Sequence, residues 1–147
     1  MKKLLPMALT ALCCAAPLSF AGGKGGTELA IASYGDIGVT FASGLPLNIE
    51  FLRANGIGTY GELEVGVGMG NGGMAIGAEL AGGLIISVAQ GLSVYASLGP
   101  SIGFNDGGSA FNLGAELGLN VDVNNGAVFI EGGSHAASNY VAVGLRL

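Results

Sequence analysis

From Glu28 onward the sequence repeats with a period of two residues, and a chain that alternates over such lengths is confined to strands whose two faces meet different surroundings. Between Ala110 and Val123, one face carries Phe111, Leu113, Ala115, Leu117, Leu119, Val121 and Val123. The other carries Asn112, Gly114, Glu116, Gly118, Asn120 and Asp122. From Met74 to Ala89, Met74, Ile76, Ala78, Leu80, Gly82, Leu84, Ile86 and Val88 line up opposite Glu79 and small residues, with Ile85 the sole misfit.

Turn signals divide the alternation: Gly44-Leu45-Pro46, Asn55-Gly56, Asn71-Gly72-Gly73, Gln90-Gly91, Asn105-Asp106-Gly107-Gly108 and Asn124-Asn125-Gly126. The strands expected between them are 28–42, 47–54, 57–69, 74–89, 91–104, 110–123, 127–134 and 139–147. Tyr34-Gly35-Asp36 is an alternative hairpin that would split the first strand. Connections this short imply antiparallel, up-and-down order. Leu80 to Asn105 holds no charged residue and is long enough for a membrane helix. Its five Gly, its Pro and the strict alternation from Leu92 to Phe104 fit strands instead, because a helix would scatter those side chains around its circumference.

The first 21 residues are set apart from the fold. Lys2 and Lys3, the apolar stretch Leu4–Ala16 and the small-residue pattern Ser19-Phe20-Ala21 read as a secretory signal peptide cleaved after Ala21. Cys13 and Cys14 lack the small residue that precedes a lipidated Cys, so lipidation is not expected. The domain left is 22–147, without cysteine, in which Lys24, Arg53 and Arg146 face ten acids for a net charge of −7. It must close its core by burial alone, without disulfide or thiolate site. The negative balance speaks against nucleic acid as a partner.

Alternation alone does not say whether the apolar face meets a core or lipid. Composition separates the two: only 10% of residues are charged against 50% hydrophobic, and the polar face is Gly, Ala and scattered carboxylates with almost no Lys. That would solubilise a globule poorly. It suits the crowded interior of a small transmembrane barrel, whose closure also pairs every backbone group in lipid. The competing reading is a soluble periplasmic β-barrel, apolar face inward, binding a hydrophobic ligand.

The final run, in which Val141, Val143, Leu145 and Leu147 alternate with Tyr140, Ala142, Gly144 and Arg146, resembles the C-terminal strand of bacterial outer-membrane barrels. The whole of 22–147 resembles the eight-stranded class typified by OmpA and OmpX. It departs from that class in ending on Leu where Phe is usual, and in having only Phe and Tyr for aromatic girdles. The resemblance implies an all-β, eight-stranded antiparallel barrel in a Gram-negative outer membrane, with lipid and the barrel-assembly machinery as partners. It places external loops near 43–46, 70–73, 105–109 and 135–138, all too short for large adhesive surfaces.

Asp36, Glu50, Glu62, Glu64, Glu79, Glu116 and Glu131 fall on the polar face, with Arg146 as inward counter-charge. Two carboxylates about 6 Å apart repel by roughly 3 kcal/mol at an effective dielectric near 20. The cluster therefore reads either as a hydrogen-bonded polar plug or as a narrow, porin-like passage or site for small cations. Ser134-His135-Ala136-Ala137-Ser138-Asn139 resembles the His-x-Ser-Asn element of the lipid A deacylase PagL, with one extra residue between His135 and Ser138. That resemblance implies a catalytic pair and outer-membrane lipid acyl hydrolysis. A strand period of two would put the pair on opposite faces unless a turn brings them together, so a non-enzymatic role is expected first, with acyl hydrolysis as the alternative.

Asn105-Asp106-Gly107-Gly108 lacks the further oxygens of a calcium loop, and no helix follows Gly66-Val67-Gly68-Met69-Gly70 to receive a phosphate. No metal or other cofactor is expected. Arg53 at a strand end suits a headgroup contact.

Overall fold

The computed structural model describes residues 24–70 and 72–147. The expected signal peptide, residues 1–21, lies outside the described residues. The chain forms β1 (Gly26–Ala32), β2 (Ile37–Leu47), a one-turn helix α1 (Glu50–Ala54), β3 (Ile57–Gly70), β4 (Gly73–Ala89), β5 (Leu92–Asn105), β6 (Gly108–Val123), β7 (Gly126–Ser134) and β8 (Asn139–Arg146). Each strand pairs antiparallel with its sequence neighbours, and β8 returns to β1 with Glu28 opposite Arg146 and Ala32 opposite Ala142. The result is a closed, eight-stranded, up-and-down barrel. Thr27 and Leu147 exchange backbone hydrogen bonds of 3.0 and 2.9 Å at the seam.

Two of the expected strands differ, and the differences compensate. The run 28–42 breaks at the hairpin Ser33–Asp36, where Gly35 takes φ +75°. The run 47–54 is not a strand, because β2 already pairs with β3 as far as Leu47 opposite Thr59, leaving residues 48–54 outside the ladder. Glu50, Leu52, Arg53 and Ala54 are good helix formers, and Arg53 N–H donates to the Ile49 carbonyl. Asn55 and Gly56, the latter at φ +77°, end that turn. Losing one strand and gaining another preserves the number and direction of all the later ones. Residues 43–46 are therefore part of β2, and the first connection at the end opposite the termini is 33–36.

The apolar face points outward. Ile31, Phe111, Leu117 and Val141 are each more than half exposed, and comparable side chains ring the barrel on every strand. The inward face holds the buried groups, so the apolar-in barrel for a hydrophobic ligand is not the fold this chain adopts.

Glycine makes room in the interior. All four tyrosines are buried in the lumen, and three of them lie directly across the ladder from a glycine: Tyr60 from Gly83, Tyr95 from Gly118 and Tyr140 from Gly133. Phe129 stands opposite Gly144 in the same way. A Cβ at any of these glycines would collide with the ring that lies over it. The ring covers backbone that a glycine leaves bare, and the missing side chain lets a narrow barrel hold a full aromatic.

Candidate functional site

The lumen contains two polar clusters joined by one tyrosine. Register explains why they form: Glu62 and Glu64, two apart on β3, both point inward, and Glu79 on β4 is the direct partner of Glu64. Glu116 reaches in from β6, opposite Ser97 on β5 and Gly133 on β7.

The cluster nearer the termini is built on Lys24, which precedes β1 and inserts into the lumen with 1% of its surface exposed. Its ammonium lies 2.9 Å from Glu62, 2.9 Å from Glu116 and 3.4 Å from Glu28. It also sits over the rings of Tyr95, at 4.1 Å, and Tyr60, at 5.1 Å. Arg146 donates from Nε to Glu28 at 2.8 Å and covers Tyr95 and Phe129. The Tyr95 hydroxyl donates to Glu131 at 2.6 Å.

Tyr140 bridges to the second cluster, its hydroxyl 3.1 Å from Glu64 Oε2 and 3.2 Å from Glu116 Oε2. There the β7–β8 connection folds into the barrel mouth. Ser101 Oγ accepts from the Ala136 N–H at 2.9 Å, and Gly103 leaves space for Ala137. His135 is thereby buried, with Nε2 3.4 Å from Glu79 and 3.5 Å from Glu64, and Nδ1 3.3 Å from the Tyr34 hydroxyl. Burial pushes its imidazole below the ordinary value of 6.5, against the opposing pull of Glu79 and Glu116.

Of the carboxylates singled out by sequence, Glu62, Glu64, Glu79, Glu116 and Glu131 are buried in the lumen, as is Arg146. Oxygens of Glu62, Glu64 and Glu116 come within 4.8 Å of one another. Asp36 and Glu50 require correction: Asp36 is exposed in the β1–β2 hairpin and Glu50 is exposed in the first turn of α1, both outside the strands that line the lumen. Sequence reasoning missed Lys24 and Glu28. Glu28 shares the phase of Ala30 and Ala32, opposite Leu29 and Ile31, which was a usable signal. Lys24 lies before the alternation begins and no period could place it.

His135 and Ser138 are not brought together as a catalytic pair. The His135 ring turns into the lumen toward Tyr34, Glu64 and Glu79. Ser138 Oγ accepts from the Gly35 N–H at 3.1 Å and donates to the Asn139 carbonyl at 2.8 Å. Its proton is thus directed at backbone.

The lumen, among the described residues, holds six buried carboxylates (Glu28, Glu62, Glu64, Glu79, Glu116 and Glu131) against the two cations Lys24 and Arg146. The carboxylates outnumber the cations, and the hydroxyls of Tyr95 and Tyr140 supply further hydrogen bonds to Glu131, Glu64 and Glu116.

No protein-family model matches the sequence, and no curated protein matches it. Among solved structures, the chain is similar to a designed transmembrane β-barrel, with 19% identity, a TM-score of 0.52, and coverage of 84% of this chain and 96% of that one. It is also similar to Ail, the attachment invasion locus protein of Yersinia pestis, at 13% identity and a TM-score of 0.52, covering 82% of this chain and 90% of Ail. These likenesses are of fold: a small closed β-barrel.

Proposed function

We propose that this chain is an integral outer-membrane β-barrel of a Gram-negative envelope, exported by residues 1–21, with a structural role and a lumen closed by its own side chains. The observation that carries this reading is the reversal of faces. Large apolar side chains such as Ile31, Phe111 and Leu117 are exposed around a sheet without an open edge, while the polar groups are buried inside it. In water this arrangement would leave an apolar belt uncovered; in a bilayer the belt meets hydrocarbon and the closed ladder satisfies the backbone. Lipid is the expected permanent partner, and the barrel-assembly machinery the expected transient one.

The test is fractionation combined with gel mobility. The protein should remain in the membrane pellet after a carbonate wash, and the detergent-refolded barrel should migrate differently in SDS before and after boiling. Release into the wash together with a single mobility would overturn the reading.

A second reading, a narrow cation passage, is favoured by the convergence of Glu62, Glu64 and Glu116. Acyl hydrolysis has no comparable support, since the hydroxyl of Ser138 and the ring of His135 are engaged with different partners.

A further inference from the structure

The buried group hardest to account for as packing is Lys24. Three carboxylates lie within 3.4 Å of its ammonium, two aromatic faces lie around it, and it arrives on a segment outside the sheet. The aromatic faces suit the ammonium that sits between them, while the carboxylate oxygens are the ligands by which proteins hold hard metal cations. The surrounding sequence reads Gly22-Gly23-Lys24-Gly25-Gly26, so Lys24 is the sole side chain in a run of five residues. Gly26 takes φ +100°, and its Cβ position is occupied by the Leu147 backbone, so the segment joins the barrel at a point only glycine allows.

We propose that the chamber formed by Glu28, Glu62, Glu64 and Glu116 is a binding site for a hard metal cation of the calcium class, occupied in this structure by the chain's own Lys24 ammonium. Two observations beyond the acidic cluster point to a ligand. The ammonium itself is a cation seated among the carboxylates. Glu64, whose side chain is 5% exposed, contributes to the group of oxygens within 4.8 Å and keeps one carboxylate oxygen, Oε1, with no hydrogen-bond partner. A buried lone pair left unsatisfied is costly and is the kind of atom a cation coordinates. Lys24 supplies one positive charge to a chamber of four carboxylates, of which only Glu28 is also paired with Arg146, whereas a divalent ion supplies two and accepts six to eight oxygen ligands. The site rests on barrel closure alone, so it stands or falls independently of whether the apolar belt meets lipid.

The geometry provides its own reporter. Tyr60 and Tyr95 border the position of the ammonium, and Tyr140 bridges Glu64 and Glu116, so terbium bound there is excited through tyrosine. The experiment titrates terbium into the refolded full chain, as wild type and as Lys24→Met. The variant should show saturable, calcium-displaceable emission beyond that of the wild type. Glu116→Gln in the Lys24→Met background should weaken its apparent affinity about tenfold, because affinity at such sites follows ligand charge.

Lys24→Met alone takes a positive charge from a lumen already rich in carboxylates, which opposes folding. The pair Lys24→Met with Glu62→Gln, which conserves net lumen charge, is therefore measured beside it. That pair should still bind terbium through Glu28, Glu64 and Glu116. Folding of Lys24→Met that is restored by calcium also supports the site. The proposal is overturned if the folded variants emit no more than wild type, if the added emission survives Glu116→Gln undiminished, or if neither variant folds with or without calcium. In the last case Lys24 is a structural counter-charge that no free ion replaces.

Discussion

At the scale of single residues, the lumen is built from pairs in which one partner has no side chain: an aromatic ring on one strand, a glycine on the next. Gly118→Val would place a branched side chain where the Tyr95 ring lies, and overpacking of this kind costs about 1–3 kcal/mol. Gly82→Ala, at an outward position with open space around it, should change stability by less than about 0.5 kcal/mol. Urea unfolding of the refolded barrels compares the two; equal midpoints would remove the aromatic–glycine pairs as a packing principle here. His135 carries a second expectation. A histidine whose folded value is depressed contributes stability that is present above its unfolded value and is lost as pH falls through that value toward the folded one. The groups facing it are Glu64 on β3, Glu79 on β4, Tyr34 in the β1–β2 hairpin and Tyr140 on β8. The urea midpoint should therefore fall further between about pH 7 and about pH 5 in the wild type than in His135→Gln. An identical pH profile would mean the imidazole is not held neutral. By type the tyrosines suit an interfacial girdle, yet the phase of Tyr60 with Glu62 and Glu64 already places that ring inside.

At the scale of elements, alternation located strands β3 to β8 to within a few residues, because a one-residue slip in any of them would turn its apolar set inward. It failed where the pattern is shared by two structures. Leu47, Ile49 and Phe51 alternate as a strand would, but once β2 has paired through Leu47 the rest lies beyond the ladder and closes a helical turn. Glu50 left the lumen for that reason, and Asp36 for the mirror-image one, a hairpin where a continuous strand was expected. The outward face of β6 tests what surrounds the barrel. Leu117→Arg in vesicles should cost about 2–4 kcal/mol near the bilayer midplane, and less than about 0.5 kcal/mol if that face met water. The comparison is the urea midpoint of the vesicle-inserted variant against wild type.

At the scale of the whole molecule, closure turns scattered inward groups into one connected interior, from Arg146 and Glu28 through Lys24 and Tyr140 to His135 under the β7–β8 connection. An interior so filled should not conduct: planar-bilayer recordings of the refolded barrel should show no steady current steps. Cation-selective steps whose preference falls in Glu62→Gln with Glu64→Gln would replace the structural reading with the passage reading. The period, the two faces, the antiparallel order and the inward direction of Glu62, Glu64, Glu79, Glu116 and Glu131 are legible in the chain alone, because each follows from local pleat and turn chemistry. Which of those carboxylates meet is a matter of closure. Glu116 comes to lie beside Glu62 and Glu64 because closing the sheet brings β6 across from β3, and Lys24 joins them from outside any strand, so neither contact is written in a local repeat.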